Sequence, residues 1–275
     1  IFGVGLIGAS FARGLKAAKA ADEIIGFGRT PKSLKDAYDL GIIDEVGINP
    51  GADVREADLI LVATPVGQMP DIFQRIAPYL GAHTIVTDAG STKNDVVEAA
   101  RAAFGNKIGQ FVPGHPIAGA ETSGAAASKA DLYQGRKVVL TPLLENSPED
   151  IGKVKRAWEL CGADVRILDA ETHDRIFAAV SHLPHLLAYA LVDEYARRDN
   201  AEQLFDYAAA GFRDFTRIAG SHPEMWRDIS LANRTALLAE LDRYGAALMR
   251  LRQALVNSDG DALVSIYANA RNARQ

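Results

Sequence analysis

The chain has 275 residues, a formal net charge of −5, 48% hydrophobic and 24% charged residues. That length can bury a sizeable core and divide into two domains, and the acidic balance, with a sequence pI near 5.7, argues against nucleic acid as the main partner. No run of consecutive apolar residues approaches the ~20 that cross a bilayer, and no charged leader followed by an apolar stretch is visible. Cys161 is the only cysteine, which excludes an internal disulfide and a cysteine-based metal centre. No metal site and no membrane partner are expected, and a reducing cytoplasm is the simplest setting.

Short apolar runs predict strands over Ile1–Val4, Glu23–Phe27, Leu59–Thr64, Thr84–Asp88, Gln110–Gly114, Lys137–Thr141 and Asp164–Leu168. The first of these reads as the end of a strand, so residues upstream of Ile1 are expected. Helical spacing fills most of the intervals, at Leu6–Lys19, Pro31–Leu40, Val66–Leu80, Thr92–Phe104 and Pro148–Cys161. Such alternation predicts a mostly parallel sheet with helices on both faces, binding ligands beyond the carboxyl ends of its strands. After Leu168 the strand signal stops. Helices are expected over Glu171–Arg197, with Pro184 inside it, then Ala201–Ile218, Glu224–Asn257 and from Gly260 onward. Ser221 with Glu224 three residues later reads as a capping box. The expected organisation is a dinucleotide-binding domain over 1–168 and an all-helical domain over 169–275.

The opening stretch Gly3-Val4-Gly5-Leu6-Ile7-Gly8 has G-x-G-x-x-G spacing. Alone this is a weak signal, because glycines also serve plain turns. Here it follows a strand and opens a helix, so a Rossmann-type site is expected: Gly3 for the sharp turn, Gly5 for approach to a pyrophosphate, Gly8 for helix–strand packing. At the end of the second strand, Gly28-Arg29-Thr30-Pro31-Lys32 lacks the acid that accepts ribose hydroxyls in NAD sites. Arg29, Thr30 and Lys32 instead suit a 2′-phosphate, which favours NADP over NAD. The competing reading leaves Arg29 and Lys32 simply facing solvent. Ala63, Thr64 and Pro65 close the third strand and complete the expected cofactor set, with Thr64 also a helix-cap candidate.

Four clusters could carry chemistry: Thr87 to Lys93 with Ser91; Gly114 to Glu121 with His115; Ser181 to His185 with His182; and Gly211 to Arg217, with Asp214 and Arg217 three apart. Ser181 and His185 share a helix face, and His182 is expected to point elsewhere. Each residue also has a structural reading, as a cap, a core histidine or a surface ion pair. Together, a nicotinamide site, two histidines and buried-looking arginines favour an acid–base redox site.

The stretches "GVGLIG", "ATPV", "TDAGSTK", "GHPIAGAE", "VSHLPHLLAYAL" and "GFRDFTRIAGSHPEMW" together resemble the prephenate/arogenate dehydrogenase family, over nearly the whole chain and in the same order. The resemblance implies oxidative decarboxylation of a cyclohexadienyl substrate in tyrosine biosynthesis, with NADP or NAD as cofactor. It implies that His115 accepts the proton of the substrate's ring hydroxyl. Ser91 shares that hydroxyl and orients the histidine. Arg217 pairs with a substrate carboxylate, and His185 and Ser181 line the pocket. Glu121, Arg213, Asp214 and Trp226 form a surrounding network, partly supplied by a second subunit of a homodimer built on the helical domain. Two alternatives stay open: a dehydrogenase of the β-hydroxyacid or 6-phosphogluconate type, which commonly uses a central lysine, and a cofactor-sensing protein without catalysis.

Overall fold

The computed structural model describes residues 1–119, 122 and 124–274. Phe2 bridges in parallel to both Phe27 and Val62. A glycine turn then opens α1 (Leu6–Ala17), followed by β1 (Ile25–Gly26), α2 (Pro31–Asp39), β2 (Glu45–Val46), α3 (Pro50–Glu56) and β3 (Leu59–Val62). Next come α4 (Met69–Ile76), β4 (Ile85–Asp88), α5 (Asn94–Phe104) and β5 (Phe111–Val112). β1 pairs with β2, and β3, β4 and β5 pair in that order, all in parallel. With Phe2 joining the two groups, the spatial order is β2-β1-Phe2-β3-β4-β5, the doubly wound arrangement of a Rossmann-type domain.

A second sheet follows, made of β6 (Gly114–Pro116), β7 (Lys137–Leu140) and β8 (Asp164–Ile167), with α6 (Pro148–Leu160) before β8. β6 runs antiparallel to β7, and β7 parallel to β8. From there the chain is helical: α7 (Ala170–Phe177), a π-helical turn (Ala178–His182), α8 (Leu183–Ala196), α9 (Ala201–Asp206), α10 (Ala210–Thr216), α11 (Pro223–Ala232), α12 (Arg234–Val256) and α13 (Gly260–Arg274). The fold is therefore an α/β Rossmann-type domain followed by an all-α domain. Ile229 of α11 is buried in the same core as Phe73, Phe104 and Phe111, so the helical part packs directly on the sheet domain.

Where expected elements break, a cause is visible. Gln110–Gly114 is two strands, because Pro113 has no N–H to continue the ladder and the chain passes from β4 to β7. Val66–Leu80 divides around Pro70 and Pro78 into a 3-10 turn, α4 and a second 3-10 turn. The expected helix Ala201–Ile218 folds back between α9 and α10, which stacks Phe212 on Tyr195 at 5.7 Å. Glu224–Asn257 breaks at Asn233, whose buried amide donates to the Asp174 carbonyl at 2.7 Å. The cap of α11 is His222 rather than Ser221, with no side-chain capping bond; the Ser221 carbonyl instead accepts the Tyr189 hydroxyl at 2.6 Å. β2 and α3 were not expected, although Asn49-Pro50 is a cap-plus-proline signal, and Asn49 does accept from Gly51 N–H. The helical stretch Ala170–Ala196, 27 residues long with an 18-residue window of mean hydropathy 1.4, is long and apolar enough to cross a membrane by length and composition. The same stretch carries buried His173, Asp174 and His182, polar groups that a lipid-facing helix would leave without partners.

Candidate active site

Each glycine of the opening turn has a separate reason to be glycine. Gly3 sits at φ +92, and a Cβ there would lie 2.6 Å from the Ala63 carbonyl oxygen. A Cβ on Gly8 would lie 2.2 Å from the Gly3 oxygen. A Cβ on Gly5 would meet nothing within 4 Å, so protein packing does not demand that glycine, whereas a ligand approaching the backbone would. Gly5 is also the N-cap of α1 and supplies no side-chain cap, leaving N–H groups and the positive dipole end available to phosphate. These features fit a dinucleotide. Val4 is buried, Leu6 and Ile7 are half-buried, and the Ile7 carbonyl accepts the Tyr133 hydroxyl at 2.6 Å.

Gly3 N–H donates to the Phe27 carbonyl at 2.8 Å, which brings the turn beside the end of β1. Arg29, Thr30 and Lys32 are exposed there, and Thr30 caps α2 without a side-chain bond. Ala63 and Thr64 are half-buried against Gly3, and Pro65 is exposed. Pro65, not Thr64, is the N-cap of the next turn, so Thr64 is not a helix cap.

Further along the carboxyl ends, Asp88 of β4 and Lys93 form an ion pair with both side chains fully buried. The pair grips Gly114: Lys93 Nζ donates to its carbonyl at 2.6 Å, and its N–H donates to Asp88 Oδ1 at 3.0 Å. Asp88 Oδ2 also accepts Gly90 N–H at 2.7 Å. The residue held next to this clamp is His115, on β6.

His115 is 9% exposed. Its ring lies against Phe177 and His173, centroids 4.9 and 5.0 Å away. Its Nδ1 is 2.8 Å from His173 Nε2, and His173 Nδ1 is 2.9 Å from Asp174 Oδ1. The Asp174 carboxylate also accepts the N–H groups of Lys93 and Asn94 at 2.8 and 2.9 Å. It thereby caps α5 from the helical domain. Burial pushes His115 well below the ordinary histidine value, helped by His173, the Lys93 ammonium and His182. Burial alone would raise Asp174, but the bonds from His173, Asn94 and Lys93 outweigh it and hold the carboxyl low. The ring nitrogen Nδ1 of His115 thus meets His173. Ser91 is half-buried and its hydroxyl bonds to none of the described residues, while its backbone faces His182.

His182 does not point away from the site. It is buried, takes a 3.1 Å contact from Asn233 Nδ2, and is pushed down to about 4, chiefly by burial. The π-helical turn inserts an extra residue before α8. In this arrangement His185 Nδ1 donates to the Ser181 carbonyl at 2.9 Å, and the His185 ring stacks on half-buried Trp226 at 3.6 Å. Burial lowers His185, and Arg217 close by lowers it further. Arg213, Asp214 and Arg217 are exposed in the single chain, not buried. Glu121 lies outside the described residues. Sequence reasoning missed His173, Asp174 and Asn233; the only local signal was an acid beside a histidine at a helix start. The lysine in this region, Lys93, is locked against Asp88 with no exposed surface, which removes the free lysine that the β-hydroxyacid alternative needs.

Known proteins resemble this chain along its whole length. Residues 11–167 match the model described as prephenate dehydrogenase, nucleotide-binding domain, and residues 169–269 the model described as prephenate dehydrogenase, dimerization domain. The chain is 37% identical to cyclohexadienyl dehydrogenase of Zymomonas mobilis, covering 100% of this chain and 94% of that protein. It is 34% identical to prephenate dehydrogenase of Bacillus subtilis, covering 99% of this chain and 74% of that one. Its structure is similar to that of prephenate dehydrogenase from Aquifex aeolicus in complex with hydroxyphenyl propionate and NAD+, with a TM-score of 0.93 and 38% identity over 99% of this chain and 95% of that chain. The chain belongs to the prephenate dehydrogenase family.

Proposed function

We propose that the chain catalyses oxidative decarboxylation of prephenate, arogenate or both in tyrosine biosynthesis, with His115 as general base. The observation that carries the reading is the run of groups along adjacent strand ends. The glycine turn abuts Ala63 and Thr64, Gly90 abuts Val66, and Asp88 holds the backbone of Gly114 beside His115. A cofactor on the turn and a substrate at His115 thus share one edge of the sheet domain.

The substrate ring carries a hydroxyl on one carbon and a carboxylate on the opposite one. A nicotinamide dinucleotide held at the turn of Gly3, Gly5 and Gly8 would supply the acceptor for the hydride on the carbon bearing the hydroxyl. His115 Nε2 takes the hydroxyl proton, which pushes electrons towards that carbon as the C–H bond breaks. The opposite carboxylate leaves as carbon dioxide, its bonding electrons complete the aromatic ring, and the ring oxygen takes the proton back from His115 to give the phenol. Base catalysis of this kind contributes about 10²–10⁴-fold, and the depressed basicity of His115 keeps it unprotonated at neutral pH. Ser91 contacts the same hydroxyl. Arg217 pairs with a substrate carboxylate, and His185, Ser181 and Trp226 line the pocket, with Arg213 and Asp214 around them. Orientation is the protein's main contribution.

NADP is the favoured cofactor, supported by the exposed Arg29, Thr30 and Lys32 and the absence of an acid from Gly28 to Lys32. The chain works as a homodimer through its helical domain, supported by exposed Leu231 and Leu238 and, further along α12, Leu248 and Met249. The test is a crossed assay of prephenate and arogenate with NADP and NAD, repeated with His115→Asn. Turnover of either substrate, lost in the variant, is expected. Equal turnover by wild type and variant removes His115 from the base role, and a clear NAD preference overturns the cofactor reading.

A further inference from the structure

We propose that His173 and Asp174 are positioning residues that set the tautomer of His115, putting its ring proton on Nδ1 and leaving Nε2 as a bare lone pair. The inference rests on the reading of His115 as the base and supplies the reason it can be one. Asp174 takes four donors: the N–H groups of Lys93 and Asn94, the Asn94 side-chain amide at 2.8 Å, and His173 Nδ1. An ionised carboxylate can only accept. The proton between Asp174 and His173 is therefore on His173 Nδ1. A neutral His173 then has only a lone pair at Nε2, so the His115 nitrogen 2.8 Å from it must donate. A neutral His115 whose Nδ1 carries the proton has its acceptor at Nε2, on the other side of the ring. The direction of every bond follows from the one member that cannot donate.

Neutrality of both rings is part of the argument, and the surroundings enforce it. Asp88 faces the pair from the end of β4, Lys93 from the start of α5, His182 from the π-helical turn and Asp174 from α7, while Phe177 closes the remaining side with an apolar ring. Burial lowers both histidines, and the Lys93 ammonium lowers them further, against the opposing pull of Asp174 on His173. When His115 takes a proton at Nε2, its charged ring faces a neutral imidazole backed by a carboxylate. The same carboxylate caps α5, so the tautomer and the seating of the helical domain on the sheet domain depend on one side chain.

The test reads protonation directly. 15N NMR of histidine-labelled protein, with neither substrate nor cofactor, should show His115 with a protonated Nδ1 and an unprotonated Nε2. In His173→Gln the Gln Oε1 can still accept from His115 Nδ1, so the tautomer persists and kcat falls less than in His173→Leu. In His173→Leu and Asp174→Ala the Nδ1–H form no longer dominates, and kcat falls about 10²–10⁴-fold while KM changes only a few-fold. Should Asp174→Ala fail to fold for want of the α5 cap, the Gln and Leu pair decides. A wild-type His115 protonated on Nε2, or equal kcat for Gln and Leu at position 173, overturns the inference. The expected tautomer in a protein that turns over no cyclohexadienyl substrate supports the inference and overturns the functional reading on which its purpose rests.

Discussion

The buried pair of Asp88 and Lys93 offers the sharpest test of how the site is built. Lys93→Met keeps most of the side-chain volume and removes the ammonium. Both partners are fully buried, and removing one partner of a buried pair destabilises by about 3–5 kcal/mol, because a charge is left without compensation. Asp88 would retain two donors, Gly90 N–H and Gly114 N–H, which places the expected loss near the lower end, roughly 3 kcal/mol. At about 2–4 °C per kcal/mol for a chain of this size, Tm falls by roughly 6–12 °C. Adding Asp88→Asn removes the stranded charge but keeps an acceptor for a glycine N–H. The double variant should therefore recover at least ~1 kcal/mol relative to Lys93→Met. Urea unfolding of the three proteins measures both differences. A single variant within about 1 kcal/mol of wild type, or a double variant no more stable than the single, would refute the reasoning. A second readout has a definite sign. The ammonium lowers His115, so its removal shifts the acid limb of kcat/KM to higher pH.

Arg217→Ala is expected to raise KM for substrate while changing kcat less, since the arginine is assigned to a carboxylate and not to the reacting carbon; an unchanged KM from initial rates would make its role structural. Gly5→Ala should weaken cofactor binding in a fluorescence titration with Tm unchanged, because the added methyl meets no protein atom, whereas Gly8→Ala should lower Tm, because its methyl would lie 2.2 Å from the Gly3 carbonyl. If both variants melt together, packing alone explains both glycines. Stability should fall as pH drops below the ordinary histidine value of about 6.5. His115, His173 and His182 are all lowered by burial, so the unfolded chain binds protons there that the folded chain refuses. Each histidine contributes up to about 1.4 kcal/mol per pH unit in that window, and urea midpoints that stay flat from pH 7 to 5 would contradict this.

The sequence by itself determined the α/β-then-helical order and the glycine turn, and it singled out His115, Ser91, His185 and Arg217 as candidates. These are local properties: apolar spacing, a three-glycine motif and short runs of functional residues survive without a fold. Only the tertiary structure decided what those residues meet. His115 and its partner His173 are 58 residues apart, and Asp174 reaches back 81 residues to Lys93. Nothing in helical or strand periodicity encodes a bond over such a span. The helix breaks are of the same kind: Asn233 interrupts an unbroken helical pattern because its amide is needed at Asp174 and His182. On an ideal helix wheel His182 points elsewhere than the face shared by Ser181 and His185, and the π-helical turn altered that phase. A hydrogen bond between distant residues forms when packing removes water from both, and packing is a property of the whole chain rather than of any one stretch.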